Sequence, residues 1–281
     1  MDRFYVVANP QKDKDGIYSK KIKDYINNLG RSCGIYTINA EKNKKIYTDS
    51  TAIPKDVECV IVLGGDGTLI QAADNLLNLD VPLLGVNIGT LGYLADTDME
   101  HVFSTIDLLV KDEYLIDERM MLTGTITRDN KILCQKTALN DVVINRNGIL
   151  SIMEFDVYVN NKYLTTYNAD GVIISTATGS TAYSLSAGGP IIQPTAKLLL
   201  MTPICPHSLN SRSIIFDEDD MVSIVIKDSK KLNEKRIVTF DGEHFFEVVS
   251  GDVINICKAK EVSKFIKTNK ASFLERIRNK L

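Results

Sequence analysis

At 281 residues and 44% hydrophobic composition, the chain can build one large packed domain or two modest ones. A net charge of −3 and a pI near 5.7 give no electrostatic basis for binding nucleic acid. Five scattered cysteines without a Cys-x-x-Cys pair, and three histidines without ligand spacing, argue against a zinc module or another protein-borne metal site. They fit reduced thiols in a soluble, cytoplasmic protein, and no apolar run reaches transmembrane length.

The first residues read as a short strand rather than a secretory leader, and the strand over 4–8 ends at Asn9-Pro10. Residues 16–29 carry Ile17, Ile22, Tyr25, Ile26 and Leu29 near one helical face, and Gly30 stops the element. Strands follow over 34–38 and 57–63, the second apolar enough to be buried on both faces. A helix is expected over 69–79 and a further strand over 81–87. The alternation predicts a parallel sheet flanked by helices. Ligands in such sheets sit beyond the carboxyl ends of the strands, where residues 64–68 and 87–92 fall.

From about Asp117 the texture changes to short β-rich segments: 122–127, 132–137, 142–145, 153–159 and 172–176, then 222–226, 236–240, 245–249 and 253–257. Arg128-Asp129-Asn130-Lys131 and Asn160-Asn161-Lys162 read as hairpin turns, and Asp241-Gly242 and Ser250-Gly251-Asp252 punctuate the later strands. Residues 258–281 hold eight Lys/Arg against two Glu, with Phe265, Ile266, Phe273, Leu274, Ile277 and Leu281 near helical spacing. They read as a terminal helix with a solvated basic face, membrane-surface binding being the alternative. The expected fold class is α/β plus all-β. Residues 1–98 form an N-terminal α/β domain with a parallel sheet, and residues 99–257 form a β-sandwich-like domain. The C-terminal segment 258–281 returns to the first domain and closes an active cleft between the two.

The most informative stretch is Val60-Ile61-Val62-Leu63-Gly64-Gly65-Asp66-Gly67-Thr68. A buried strand runs into three glycines and a helix start, an arrangement suited to phosphate. The carboxylate of Asp66 is the wrong sign for simple phosphate binding, so it fits either a helix cap or a chemical role such as taking a proton from an attacking hydroxyl. Neither Gly-x-x-x-x-Gly-Lys-Ser/Thr nor Gly-x-Gly-x-x-Gly is present.

Four further stretches carry polar chemistry. Residues 85–94 place Asn87 at a strand end, followed by Gly89, Gly92, Tyr93 and Leu94; Tyr93 suits either a core position or stacking on a base. Asn140-Asp141 can hydrogen-bond ribose hydroxyls or form a β-turn. The run Asp170 to Pro190, with Thr178, Ser180, Thr181, Ala182, Tyr183 and Ser186, is a hydroxyl- and glycine-rich loop, read as a ligand surface over a small-residue packing loop. Thr202-Pro203-Ile204-Cys205-Pro206-His207-Ser208-Leu209 reads as a rigid loop in which His207 alone is ordinarily structural.

The Gly64-Gly65-Asp66-Gly67-Thr68 loop resembles the core motif of the superfamily of NAD kinases, diacylglycerol kinases and phosphofructokinases. With residues 85–94, Asn140-Asp141, the 170–190 run and Pro-Ile-Cys-Pro-His in the same order, nearly the whole chain is similar to the bacterial NAD kinases. The resemblance implies transfer of the γ-phosphoryl group of ATP to the 2′-hydroxyl of the adenosine ribose of NAD. It implies Asp66 as general base, and Gly65, Gly67 and Thr68 in the phosphate loop. Asn87 lies at the site, and Tyr93 and Leu94 border the adenosine. Asn140 and Asp141 hold the other ribose, and Thr181, Ala182, Tyr183 and Ser186 line the dinucleotide. It further implies a homo-oligomer, tetramer or dimer, whose sites are completed across subunits through the motifs of Asp170, Cys205 and His207.

No lysine occurs within the glycine loop, so a divalent ion, Mg²⁺ or Mn²⁺ carried with ATP, is expected to supply neutralising charge. Two departures concern the substrate. Asn168 stands where many bacterial members carry Arg, and Asp141 where Glu is frequent. The rival readings are a lipid kinase of the same superfamily, which would share Asn9-Pro10 and the glycine loop but not residues 85–94, and a non-catalytic dinucleotide sensor, which would lack Asp66.

Overall fold

The structure is a computed structural model that describes residues 1–36, 48–89, 92–148, 152–208, 211–227, 235–268 and 273–278. Ile38, Thr90, Leu91, Leu209, Leu281 and the 269–272 segment, all used in the reading above, lie outside the described residues. The chain divides into two compact units, Met1–Glu118 with Ser263–Leu281, and Arg119–Val262.

In the first unit the strands Ser32–Ile35, Arg3–Ala8, Cys59–Gly64 and Leu83–Asn87 lie side by side, all parallel. Every residue of Cys59–Gly64 is buried, as its unbroken apolar run requires. The helices Ile17–Asn28 and Val102–Val110 turn Ile22, Ile26, Val102, Ile106 and Leu109 into one apolar cluster with Phe4, Ile61, Leu63 and Leu84. Each such buried side chain contributes about 1.5–3 kcal/mol. The same cluster explains why residues 99–118, assigned to the second domain from sequence, belong to the first unit.

The register positions the site. Ala8 pairs with Leu63, and Gly64 pairs with Asn87, so Asn9, the glycine loop and Ile88 all leave the sheet at one edge. There the Asn9 N–H donates to the Leu63 carbonyl at 2.9 Å and the Ile88 N–H to the Gly64 carbonyl at 2.9 Å. The helix expected over 69–79 begins at Asp66 and runs to Asn75, followed by a single 3-10 turn, Leu77–Leu79. Its first turn, Asp66-Gly67-Thr68, is polar, so apolar spacing could not locate it.

The second unit contains two antiparallel sheets. One runs in the order Ile214–Asp217, Leu198–Ile204, Gly171–Ser175, Asp141–Asn147, Lys235–Phe240, His244–Val248. The other pairs Lys162–Ala169 with Met153–Val159, then Val222–Ile226, then the start of Val253–Lys267. Phe155, Val157, Ile224 and Ile254 of one sheet and Ile144, Ile174, Met201 and Phe240 of the other share a single core cluster, which makes the unit a β-sandwich. Both expected hairpins form: Asp129 and Asn130, and Asn160 and Asn161, have positive φ between their paired strands.

Two segments differ from expectation. Thr202-Pro203-Ile204 is strand, not loop. Pro203 lies beyond the last residue paired with Ile214–Asp217, where its missing N–H is not needed. Residues 258–267 are also strand, within Val253–Lys267, with Ile254, Ile256, Ala259, Ser263 and Phe265 buried. The terminal helix is confined to Phe273–Arg278 among the described residues. The basic residues of the strand are not simply solvated: Lys264 pairs with Asp80 at 2.8 Å and Lys267 with Asp96 at 3.3 Å.

Candidate active site

In the first unit the Asp66 carboxylate, half-buried at the first turn of its helix, accepts the Tyr93 N–H at 2.7 Å and the Leu94 N–H at 3.2 Å. Each oxygen accepts one backbone donor and keeps a second lone pair for a substrate hydroxyl. Gly92 makes this approach possible, because a Cβ there would overlap the carboxylate. Leu94 is buried and Tyr93 half-buried. Their segment is tied to the last strand: Asp96 accepts the Thr268 N–H at 2.8 Å. Thr68 is buried, with Oγ1 accepting from the Asn9 amide at 3.3 Å, while Gly65 is half-exposed and Gly67 exposed. Asn87 is buried. Its amide donates to the Gly89 carbonyl at 3.1 Å, and its Oδ1 is an acceptor with no hydrogen-bond partner among the described residues.

A cation from outside the loop stands beside it. A Cβ built on Gly65 would lie 2.8 Å from the Lys12 ammonium. Lys12 comes from the segment after Asn9-Pro10, fifty-odd residues away in sequence, so inspection of the loop alone could not find it.

In the second unit the Asn140-Asp141 turn is organised by Asp241, which sequence reading treated only as a turn residue. Its carboxylate accepts the N–H groups of Leu139 at 2.7 Å, Asn140 at 2.7 Å and Asp141 at 3.0 Å. Asp141 is buried, and burial first, then the charge of Asp241, pushes its carboxyl up to about 7. The hydroxyl-rich run folds back on this turn. Thr176 Oγ1 donates to the Leu139 carbonyl at 2.7 Å, and Gly179 packs so closely on the Asn140 carbonyl that no other residue fits.

Within the run the hydroxyls divide. Ser180 is fully buried, donating to the Ala177 carbonyl at 2.7 Å and accepting the Ile192 N–H at 3.0 Å. Thr178 is buried and accepts from the buried Arg119 guanidinium at 3.2 Å. These two shape the loop from inside. Thr181 and Ala182 are half-buried, and Tyr183 and Ser186, on the short helix Tyr183–Ser186, are exposed. Burial, and after it Cys205, Asp170 and Asp141, push the Tyr183 phenol up.

Asp170 is held by Arg146 through two bonds, Nε at 2.8 Å and Nη2 at 3.2 Å. Cys205 is exposed and adopts a positive φ of 44°, an uncommon conformation for a residue with a Cβ. Asn168 and His207 are exposed, and the His207 N–H donates to the Asn168 carbonyl at 2.8 Å. They line a cavity of about 320 Å³ with Thr166, Ser208 and Arg212. Among the described residues no group of three or more His, Cys, Asp or Glu side chains is assembled to hold a metal ion, and no helix is long and apolar enough to cross a membrane.

Comparison with known proteins matches both units. Residues 7–114 match the family profile of the ATP-NAD kinase N-terminal domain, and residues 139–268 that of the ATP-NAD kinase C-terminal domain. The NAD kinase of Lachnospira eligens is 56% identical over 294 aligned residues, covering 100% of each chain. The fold is similar to the crystal structure of yeast NADH kinase complexed with NADH, with a TM-score of 0.81, 23% identity and coverage of 99% of this chain and 86% of that one. It is likewise similar to an NAD kinase from Archaeoglobus fulgidus in complex with ATP, with a TM-score of 0.75, 21% identity and coverage of 99% and 96%. With both domain profiles matched in order and a full-length relative at this identity, the chain belongs to the NAD kinase family.

Proposed function

We propose that the chain transfers the γ-phosphoryl group of ATP to the 2′-hydroxyl of the adenosine ribose of NAD, yielding NADP and ADP. The observation that carries this reading is Asp66: a carboxylate held by two backbone N–H groups beside a phosphate-binding loop, with a free lone pair on each oxygen. In the reaction the ribose oxygen forms a bond to the γ-phosphorus. The bond from that phosphorus to the bridging oxygen breaks, ADP departs with the electron pair, and the hydroxyl proton passes to Asp66.

Gly65, Gly67 and Thr68 bind phosphate in this reading, and Asn87, Tyr93 and Leu94 border the adenosine. Asn140 and Asp141 take the second ribose, and Thr181, Ala182, Tyr183 and Ser186 contact the dinucleotide, while Thr178 and Ser180 support that loop. A divalent ion such as Mg²⁺ or Mn²⁺, carried with ATP, would supply further charge neutralisation beside the glycine loop. Asp170, Cys205 and His207 complete the site in a homo-oligomer, a tetramer or dimer, of a cytoplasmic enzyme, and Asn168 takes part in substrate binding.

The test is a coupled assay for NADP with NAD, ATP and Mg²⁺, run on the wild type and Asp66→Asn. General-base catalysis is typically worth about 10²–10⁴-fold, so turnover of the variant should fall by at least about a hundredfold. An amide can accept only one of the two N–H bonds well, so its melting temperature should fall slightly while the fold persists. Near-normal turnover in the variant would remove Asp66 as base. A wild type inactive with NAD and NADH, with either metal, would remove the kinase reading itself.

A further inference from the structure

Resting on the reading that the glycine loop receives ATP, we propose that Lys12 binds the terminal phosphates of the donor, completing the phosphate loop from a separate segment of the chain. The ammonium stands over Gly65, at 2.8 Å from where a side chain would begin, so this glycine both exposes its backbone and leaves room for the lysine.

The backbone that carries Lys12 is fixed at both ends. Asn9 donates its N–H to the Leu63 carbonyl at 2.9 Å and its side-chain amide to Thr68 Oγ1 at 3.3 Å, which ties it to both flanks of the glycine loop. The Asn9 carbonyl accepts the N–H groups of Lys12 at 3.0 Å and Asp13 at 2.9 Å, and its Oδ1 accepts the Gln11 N–H at 2.9 Å. Asp13, almost fully buried, then accepts the N–H groups of Tyr18 at 2.8 Å and Ser19 at 3.1 Å, locking the segment to the next helix.

Holding a lysine side chain over a glycine costs rotamer entropy. Among the described residues no carboxylate or carbonyl pairs with this ammonium to offset that cost. A phosphate delivered by the substrate would do so, and a compact ammonium with three donors suits phosphate oxygens as a point charge. The arrangement divides the labour around Gly65, with Lys12 for the phosphates and Asp66 for the acceptor hydroxyl.

The experiment compares full-length wild type, Lys12→Met and Lys12→Arg in two ways: steady-state NADP formation, and calorimetric titration with ATP, ADP and AMP in the presence of Mg²⁺. A charge-assisted contact of this kind predicts that Lys12→Met weakens ATP binding about ten- to a hundredfold and ADP binding less. AMP affinity, the KM for NAD and the melting temperature should stay unchanged, and Lys12→Arg should recover part of the loss. ATP binding within twofold of wild type in Lys12→Met, with an active wild type, overturns the role of Lys12 alone. Equal losses for ATP, ADP, AMP and NAD with a lowered melting temperature also overturn it, since they mark a structural residue. A wild type that forms no NADP overturns the underlying reading.

Discussion

Asp141 and Asp241 share the turn that carries Asn140, and the burial of Asp141 decides where a proton is held. Burial first, and then the charge of Asp241, which accepts three backbone donors, push the Asp141 carboxyl from an ordinary 3.8 up to about 7. The native state therefore binds a proton that the unfolded chain releases. The contribution is full below about pH 4 and is lost as pH rises through about 7, an effect on the order of a few kcal/mol. Asp141→Asn should accordingly melt a few degrees above the wild type at pH 8, with the gain shrinking or reversing at pH 5. Thermal melts across that range check it, and a pH-independent difference would contradict the assignment. Neither the pairing nor the burial was legible in sequence, because Asp241 follows Asp141 by a hundred residues.

At the scale of elements, each unit contains a close approach made by glycine. Gly92 lets the Tyr93-Leu94 N–H groups reach Asp66, and Gly179 lets the hydroxyl-rich run settle on the Asn140 carbonyl. Gly92→Ala should displace the Asp66 carboxylate and lower kcat for NADP formation about ten- to a hundredfold, with circular dichroism melts confirming a folded protein. Wild-type kcat in this variant would show that the carboxylate need not be held there. The strands around these approaches were readable where one pattern dominated: Cys59–Gly64 through its continuous apolar run, and both Asx-rich hairpins through their turn residues. Residues 258–267 misled because their apolar positions shift phase between Ile256 and Ala259, so strand alternation and helical spacing look alike.

For the whole molecule, the distribution of charge separates metal chemistry from stability. In the proposed reaction the divalent ion is carried by the nucleotide rather than by the protein. EDTA should therefore abolish NADP formation yet leave the nucleotide-free melting temperature within about 1 °C. MgATP at a hundredfold above its Kd should add about 2.7 kcal/mol, a rise of roughly 5–10 °C that EDTA diminishes. A fall in the melting temperature of the nucleotide-free protein on chelation would reveal a structural metal. Scanning fluorimetry with an external dye suits the measurement, since the chain contains no tryptophan.

The sequence by itself determined what depends on neighbours along the chain. It specified the alternating first unit, the β-rich second unit, the glycine loop with Asp66, and the Asn140-Asp141 and 170–190 motifs, because periodicity, turn chemistry and motif order are local properties. Tertiary structure alone decided which distant groups meet. It brought Lys12 over Gly65, Asp241 under Asn140, Arg119 against Thr178 and Lys267 to Asp96. It also turned Ser180 inward while leaving Tyr183 exposed, a choice set by packing and hydrogen-bond satisfaction rather than by residue type.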